Sequence, residues 1–357
     1  MNSPPSPGSS PPPPPLVSIV VLNYNGALWL KRCLESIREQ TLFDRIELIV
    51  ADNASPDHSE QMARELLQDW PNARVVQNGG NFGYSEGNNR AAQSGRGKYL
   101  FFLNNDTWME KDCLERLVAE VEAAGAVAGT PLVLDYLDDV MQSAGECGFD
   151  AFGLVCGSAV ASHQKEVFVA VGCSLLIDSE LFRSLGGFDS EFFMYADEYD
   201  LCWRVWLSGG CVILARSARL HHRGAASVNP NGYQRVVESR TSDTKRFYAN
   251  RNNLLVLLKN GQHVLLGFVP LQIALLSVEG AFMGCLTRRW SHVRRAYVDA
   301  VLDCWRLRDH ILTERRRLRR IRCRGDLWML RFFRLRFNRW LEFKRWRKLG
   351  APRVDAS

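Results

Sequence analysis

From Leu16 onwards, short runs of apolar and β-branched residues alternate with longer stretches in which apolar residues recur at helical spacing. The run LVSIVVLNYNG ends in Asn and Gly, which is typical of a buried strand that leads into a loop. RIELIVADNAS, ARVVQN and KYLFFLNND have the same character, and helical spacing follows the first run and covers residues 58–69 and 86–95. This alternation predicts an α/β fold, with a mostly parallel, Rossmann-like sheet and helices on both of its faces.

Polar residues follow three of the predicted strands, which end in NYNG (23–26), ADNAS (51–55) and LNND (103–106). Ligands of parallel sheets bind at the carboxyl ends of the strands. Asn and Asp are ordinary turn formers, so any one of these ends alone is explained by a turn, whereas three together predict a polar crevice. No GxGxxG follows the first strand and no GxxxxGK[ST] occurs, which argues against a dinucleotide dehydrogenase and a P-loop NTPase.

An acidic cluster stands in the aromatic stretch EFFMYADEYDLCWRVWLSGG, residues 191–210. Carboxylates are rarely buried without a partner, because losing their hydration is costly. A helix that begins near Asp197 places Asp200 one turn from Arg204, with which it can pair, and acids in a first turn suit the helix dipole. Glu198 has no evident partner. At this point a structural and a catalytic explanation of the cluster both remain open.

VSIVVLNYNG, VADNAS, NFGYSEGNN, FLNND, GCSLLIDSELFRSLGGFDSEFFMYADEYDLCWR and FYANRNNL occur in this order between about Val17 and Asn253. The ensemble resembles family 2 glycosyltransferases of GT-A fold, and more closely the rhamnosyltransferase-like branch that builds bacterial cell-surface polysaccharide. The resemblance implies a GT-A domain over residues 16–253. It also implies inverting transfer of a sugar from a nucleotide-diphosphate donor, such as dTDP-rhamnose, to a hydroxyl of a lipid-linked saccharide.

By the same resemblance, seven residues surround the nucleotide sugar: Asn23, Tyr24, Asn25, Asp52, Asn89, Asn105 and Arg251. Asp52 would accept a hydrogen bond from the base or the ribose, and Arg251 would contact the diphosphate. Two alternatives stay open. The loop that contains Asn89 is also a plausible glycine-rich turn before a helix, and Arg251 is equally well suited to a salt bridge on a helix surface.

LNND takes the place of the family's DxD-like motif, and the resemblance implies that a divalent cation, Mg²⁺ or Mn²⁺, binds there. Such cations prefer carboxylate oxygens and offset the charge that builds on a diphosphate leaving group. Because Asn104 and Asn105 stand where stricter members carry acids, Asp106 is the available carboxylate. His222 aligns with a second metal ligand of the family, whereas His221 is better explained by packing or a surface contact.

YADEYD falls where the family carries an acidic motif, usually Glu-Asp, that holds the general base; here the order is Asp-Glu. The resemblance assigns the base to Glu198 and a supporting role to Asp197. An aromatic setting raises a carboxyl pKa towards neutrality, which suits a base that takes a proton from the acceptor hydroxyl. Asp200 is left to its pair with Arg204.

Charge divides the chain unevenly. From Arg288 to the end there are 22 Lys/Arg and 7 Asp/Glu, a net charge of +15, while the preceding part carries −9. Residues 264–286 are apolar and almost long enough to cross a bilayer, but Pro270, Gln272 and Glu279 favour a buried or interfacial helical pair. The Arg-rich segments that follow contain interleaved aromatics, as expected for an amphipathic helix on anionic lipid.

These features predict a helical, membrane-associating region over residues 254–357. The same basic composition suits RNA, but the lipid-linked acceptor implied by the resemblance favours lipid, and no nucleic-acid partner is expected. Residues 1–15 predict a disordered, Pro-rich leader without the features of a signal peptide. Ten cysteines without CxxC pairs indicate core residues of a reducing cytoplasm. We therefore expect a cytoplasmic protein on the inner face of the cell membrane. The alternatives are a non-catalytic nucleotide-sugar-binding scaffold of an assembly complex and a nucleic-acid-binding protein that acts through the basic tail.

Overall fold

The structure is a computed structural model that describes residues 14–158, 165–224, 240–339 and 353–355, with the backbone alone at 158, 240, 241 and 353–355. The predicted leader of residues 1–15 lies almost entirely outside the described residues. All ten cysteines are described: six are buried, Cys147 and Cys211 are half-buried, and Cys285 and Cys323 are exposed and so are not core residues.

The strands within the described residues are β1 Val17–Asn23, β2 Ile46–Asp52, β3 Ala73–Gln77, β4 Tyr99–Asn104, β5 Thr107–Met109, β6 Ala128–Asp135, β7 Met141–Ser143, β8 Glu146–Phe149, β9 Val155–Ser158, β10 Ser174–Asp178, β11 Val212–His222, β12 Arg240–Ser242 and β13 Arg353–Asp355. The α-helices are α1 Leu30–Arg38, α2 Ser59–Leu67, α3 Gly83–Ala92, α4 Cys113–Ala123, α5 Ser179–Ser184, α6 Asp197–Leu207, α7 Asp243–Asn260, α8 Phe268–Thr287, α9 Trp290–Val293, α10 Asp299–Arg306, α11 Arg308–Ile321 and α12 Asp326–Met329. Short 3₁₀ turns cover Phe43–Arg45, Ser190–Phe192, Leu265–Gly267 and Leu330–Phe332, and a π-helical segment covers Arg294–Val298.

One large sheet runs in the order β3-β2-β1-β4-β10-β6-β11-β5, with β7 paired to β6. The first four strands are mutually parallel, as their apolar runs predict. β10 is antiparallel to both of its neighbours, β4 and β6, so the far half of the sheet is mixed. An apolar run marks a buried strand without encoding its direction, which explains why the reversal was not visible in the sequence. The predicted α/β fold with helices on both faces is confirmed, but the predicted mostly parallel sheet is uninterrupted in direction only over β1–β4 and is mixed beyond them.

Both faces of the sheet are covered. Successive side chains of a strand point to opposite faces, and neighbouring residues of β4 accordingly enter different cores. Phe102 packs in one hydrophobic cluster with the residues of α6. Phe101 packs in the other with α1 and α4. Every residue of β2 is buried, which is why its sequence lacks alternation.

Instead of the helical pair predicted for residues 264–286, this region forms one long helix, α8, preceded by the 3₁₀ turn at Leu265–Gly267. Pro270 lies in the first turn of α8, where the missing N–H has no intrahelical acceptor, so it does not break the helix. Leu265–Thr287 is also the one stretch of the described residues long and apolar enough to cross a membrane, and only 22% of it is buried. The expected domain boundary at 253/254 falls inside α7.

Part of the Arg-rich tail packs into the protein. Phe332 is 4% exposed, and its ring lies 4.8 Å from the ring of Trp206. The Arg324 guanidinium donates to the carbonyl of Gly210 (2.7 Å), and that of Arg322 donates to the carbonyl of Asn260 (2.5 Å). Here the predicted lipid-facing helix is wrong, because these arginines satisfy carbonyl groups at and just beyond the ends of α6 and α7. Residues 340–352 of the tail lie outside the described residues.

Candidate active site

The polar ends of β1, β2 and β4 meet at one edge of the sheet. Asn23 and Asp52 are in register on adjacent strands, and Asn23 Nδ2 donates to Asp52 Oδ1 at 2.7 Å. Asn105 Nδ2 donates to Asn23 Oδ1 at 2.9 Å. A Cβ at Gly26 would overlap both of these amide groups, so the loop after β1 requires glycine there. The sequence prediction that these ends converge is correct.

Asp52 is fully buried, and its carboxylate is used within the protein. Oδ1 accepts from Asn23 and from the Ser55 hydroxyl (2.6 Å). Oδ2 accepts from the Ser55 N–H (2.9 Å) and from Gln77 Nε2 (3.0 Å). Four hydrogen bonds saturate a carboxylate. The predicted contact of Asp52 with a base or ribose is therefore replaced by a structural role in shaping the loop.

The accessible groups at this edge belong to the loop after β1. Tyr24 is 45% exposed. Asn25 is exposed as well, and its backbone adopts the left-handed conformation (φ +54°), which Asn tolerates better than most residues. Both side chains remain available for the predicted nucleotide contact.

Two other residues that were predicted to contact the nucleotide sugar, Asn89 and Arg251, bind other parts of the protein instead. Asn89 donates to the carbonyl of Phe188 (2.8 Å) and accepts from its N–H (2.9 Å), so its amide holds the GGFD turn in place. Arg251 is 6% exposed and forms a 3.0 Å ion pair with Asp303 of α10. These contacts correct both predictions, because the residues join segments of the scaffold. For Arg251 the salt-bridge alternative is right, although the pair is buried.

Asp106 and His222 lie together, as predicted for metal ligands. His222 Nε2 is 3.4 Å from Asp106 Oδ1. His222 Nδ1 is 2.7 Å from Gln142 Oε1, an oxygen that only accepts, so Nδ1 carries a proton and Nε2 is the atom presented to Asp106. Burial lowers the pKa of His222, but Cys173 and Asp106 outweigh it and raise the pKa well above its usual value. Surroundings that favour a proton at Nε2 also favour a metal cation there.

A constrained loop leads into the acidic cluster. Phe193, Tyr195 and Ala196 all have positive φ. Each such residue costs about 1–3 kcal/mol and keeps this conformation only where the surrounding structure holds it. Asn252 is fully buried on α7, and its Nδ2 lies 2.7–2.9 Å from three carbonyl oxygens of this loop, those of Phe192, Met194 and Tyr195. Asn252 stands in the FYANRNNL motif that carried the resemblance, but nothing in the motif indicated its contacts with a loop some 57–60 residues earlier.

Asp197 and Glu198 open α6. Asp197 is 3% exposed, its Oδ1 has no hydrogen-bond partner among the described residues, and burial together with the charge of Glu198 raises its pKa well above the usual value. Burial raises the pKa of Glu198 as well, although its side chain is only half-buried. Of the two, Glu198 is the carboxyl group that an acceptor can reach.

We call the sheet edge at the ends of β1, β2 and β4 the donor edge, because it is the predicted site of the nucleotide-sugar donor. Gly172, which precedes β10, lies close to Glu198. A Cβ on Gly172 would lie 3.1 Å from the Glu198 carboxyl carbon. The carbonyl of Gly172 accepts a 2.8 Å hydrogen bond from the hydroxyl of Tyr84, which belongs to the NFGYSEGNN segment. A further acid lies near: the pKa of Glu146 is raised to about 7 by burial and by the charge of Glu198. The structure thus brings the base candidate and one predicted donor loop together.

Asp200 is not available for catalysis. It is fully buried and pairs with Arg204 at 2.7 Å, as the helical spacing predicts. Its other oxygen lies 3.0 Å from Lys259, which also contacts Asp189. Burial raises the pKa of Asp200, but Arg204 and Lys259 outweigh this effect and lower it.

A sheet with polar carboxyl ends beside an acid-bearing helix is the arrangement of a GT-A glycosyltransferase, and solved structures agree. Mannosyltransferase PcManGT from Pyrobaculum calidifontis, in complex with GDP-Man and Mn²⁺, superposes with a TM-score of 0.53 over 81% of this chain and 88% of that chain, at 18% identity. GalNAc-T7 with UDP, GalNAc and Mn²⁺ gives 0.56 over 69% and 48%, at 17% identity. Identities this low establish the fold alone.

Residues 18–144 match the family model described as Glycosyl transferase family 2. Over those residues the chain is similar to family 2 glycosyltransferases, which confirms the resemblance in its sequence. EpsH of Bacillus subtilis (strain 168) is 33% identical over 29% of this chain and 29% of that relative. The O-antigen biosynthesis protein RfbC of Myxococcus xanthus is 28% identical over 59% of this chain and 17% of that relative. The alignments thus span under a third of either relative's length.

Proposed function

We propose that this protein is an inverting glycosyltransferase of cell-surface polysaccharide synthesis, which moves a sugar from a nucleotide-diphosphate donor to a hydroxyl of a saccharide acceptor. The observation that carries the proposal is the position of Glu198. Its side chain is half-buried, burial raises its pKa, and its carboxyl group lies against Gly172. The carbonyl of Gly172 in turn accepts a hydrogen bond from Tyr84 of the NFGYSEGNN segment. The printed role of RfbC in O-antigen biosynthesis supports the polysaccharide setting. dTDP-rhamnose stays the proposed donor, from the sequence resemblance.

Glu198 would act as the general base. As the acceptor oxygen attacks the anomeric carbon, the proton of its hydroxyl passes to a Glu198 carboxylate oxygen, and the bond from the anomeric carbon to the diphosphate breaks. Burial and the charge of Glu198 raise the pKa of Asp197 well above its usual value, which favours the neutral form of that neighbour and limits the negative charge in the buried cluster. Asn252 would contribute by holding the loop that orients α6.

Asp106 and His222 would hold the divalent cation, Mg²⁺ or Mn²⁺. They fit this role because Gln142 fixes the His222 tautomer and turns Nε2 towards the Asp106 carboxylate. When bound, the cation would offset the negative charge on the departing nucleoside diphosphate. Tyr24 and Asn25 would contact the nucleoside from the exposed loop after β1.

A lipid-linked acceptor requires the protein to reach a membrane surface. The helices α8–α10 would provide the contact with that surface. We name as the apolar face a set of exposed side chains: Leu271, Val278, Phe282, Leu286, Trp290, Val298, Leu302 and Trp305. A groove of about 230 Å³ between α8 and α10 is part of this face. Exposed arginines accompany it: Arg288, Arg289, Arg294, Arg295 and Arg306. Apolar side chains flanked by arginines suit peripheral binding to the anionic inner leaflet of the cell membrane.

Calorimetric titration of the full-length protein with dTDP, UDP and GDP, each with and without Mn²⁺, tests the donor site without knowledge of the acceptor. We expect one diphosphate to bind in a Mn²⁺-dependent manner, and Asp106→Asn to abolish that dependence. If none binds under either condition, the proposal is wrong.

Glu198→Gln tests the base. It should leave diphosphate binding unchanged and reduce turnover of the matching donor sugar by about 10²–10⁴-fold. Glu191→Gln, at an exposed acid of the same stretch, is the matched control and should change neither quantity. Unchanged turnover in Glu198→Gln would contradict the assignment of the base.

A further inference from the structure

A second group of metal-ligating side chains lies on the opposite face of the strand that carries His222. Glu110, Asp139 and His221 each place a ligand atom within 4.8 Å of the others. Glu110 directly follows β5, Asp139 lies in the loop between β6 and β7, and His221 stands on β11. Because adjacent residues of a strand face opposite ways, His221 points away from Asp106 and His222.

The His221 ring is fixed in one orientation. Its Nδ1 lies 2.9 Å from the carbonyl oxygen of Asp135, which only accepts, so Nδ1 carries a proton. The Trp108 ring stacks on it with 3.7 Å between centroids and 3° between planes. His221 is 3% exposed, and its Nε2 has no hydrogen-bond partner among the described residues. This nitrogen lies near the carboxylates of Glu110 and Asp139.

The distance between His221 and Glu110 suits a cation shared by the two side chains better than a direct hydrogen bond between them. His221 Nε2 is 3.6 Å from Glu110 Oε1, which exceeds the roughly 2.7–2.9 Å of a charge-assisted N–H···O bond. Ligand atoms that share one metal through bonds of about 2.0–2.2 Å are held apart at more than hydrogen-bond distance. Asp139 is exposed on a loop, so its carboxylate can approach without disturbing the core.

We propose that Glu110, Asp139 and His221 form a binding site for a transition-metal dication, Zn²⁺ being the best match for one imidazole and two carboxylates. This site is separate from the Asp106/His222 pair and does not rest on the proposed glycosyltransferase activity. The cation would tie the loop between β6 and β7 to β5 and β11, on the strand pair that also positions His222.

The test is a calorimetric titration of metal-free, full-length protein with Zn²⁺, in the absence of nucleotide. We expect Asp139→Asn to lose one equivalent of bound Zn²⁺, or to weaken that equivalent at least tenfold. Asp139 is exposed, so this variant should fold. Glu110→Gln should give the same loss. Glu115→Gln, at an acid on α4 bonded to Thr41, is the control and should bind as the wild type does.

Asp106→Asn separates this proposal from the proposed function. Asp106→Asn should still bind the equivalent of Zn²⁺ that Asp139→Asn loses, whether or not it alters the Mn²⁺ dependence of diphosphate binding. Thermal unfolding gives a second readout: saturating Zn²⁺ should raise the Tm of the wild type and of Asp106→Asn more than that of Asp139→Asn. The proposal is overturned if the wild type binds no Zn²⁺, or if Asp139→Asn matches it in stoichiometry and affinity.

Discussion

The edge of the sheet that carries the candidate donor site and the C-terminal helices are held together by different chemistry. At the sheet edge, short neutral side chains are linked by hydrogen bonds that end on one carboxylate: Asn105 donates to Asn23, and Asn23 donates to Asp52. In the C-terminal half, buried ions connect helices that are far apart in sequence, as Lys259 does with Asp189 and Asp200. The first arrangement follows from where strands end, while the second depends on long-range pairing. Basic residues in a terminal segment therefore do not by themselves indicate a surface that binds anionic lipid.

Lys259→Met should give the largest change, because it removes the cation shared by two buried carboxylates. Breaking a buried ion pair on one side costs about 3–5 kcal/mol of unfolding free energy. Chemical denaturation of the full chain measures the loss. Lys98→Met is the control: Lys98 pairs with Glu122 at the surface and should cost under about 1 kcal/mol.

The same network predicts an acid-side loss of stability. Burial raises the pKa of Asp189, but Lys259 and His310 outweigh it and lower the pKa far below its usual value. The pairs with this carboxylate therefore contribute fully above the unfolded pKa of about 4, and the contribution declines as the pH falls below it. Equal stability of Lys259→Met and the wild type at pH 7 would mean that apolar packing, and not these ions, joins α6, α7 and α11.

Asn252→Ala comes next in size. The variant deprives three loop carbonyls of one buried donor, which should cost about 2–3 kcal/mol of unfolding free energy. It should also lower turnover, because the loop orients α6 and its Phe193 carbonyl accepts from the N–H of Tyr84 in the NFGYSEGNN segment. Asn253→Ala removes a hydrogen bond within α7 alone and is the matched control. If both variants behave alike, the positive-φ segment does not depend on Asn252.

The first four strands, their order of appearance, the polar strand ends and the Asp200–Arg204 pair could be predicted from the sequence, because each follows from local periodicity or spacing. The Asp106/His222 pair came instead from the resemblance to family 2 glycosyltransferases, since the two residues are far apart in the chain. The saturation of Asp52 was hidden, since its fourth hydrogen bond comes from Gln77 on another strand. The scaffold roles of Asn89 and Arg251 were hidden for the same reason: Phe188 and Asp303 are distant in sequence. Composition was least informative for the tail, where arginines that cap helices resemble arginines that face lipid.

A smaller effect should appear at Glu146, whose pKa is raised to about 7 by burial and by Glu198. The folded state then binds a proton that the unfolded chain loses near pH 4.5, so wild-type stability should fall as the pH rises from about 4.5 to 7. Glu146→Gln removes this dependence and should be about 1–2 kcal/mol more stable than the wild type at pH 8, but equal to it at pH 4. Glu166→Gln, at an exposed acid paired with Arg331, should show no such difference. A constant offset at every pH would instead indicate a packing effect.

The smallest effects separate the two kinds of arginine within the C-terminal half itself. Arg294→Gln, at an exposed position among the apolar-face residues, should weaken binding to vesicles containing anionic lipid by about 1 kcal/mol and leave unfolding unchanged. Arg324→Gln removes donors to the carbonyls of Trp206, Gly209 and Gly210 and should do the reverse, with about 1–2 kcal/mol lost in unfolding. Vesicle co-sedimentation and chemical denaturation of both variants test this exchange. If Arg324→Gln also weakens vesicle binding, the two roles are not separable. If neither variant changes it, the membrane contact does not lie on the α8–α10 face, and only the donor-edge half of the proposed function remains supported.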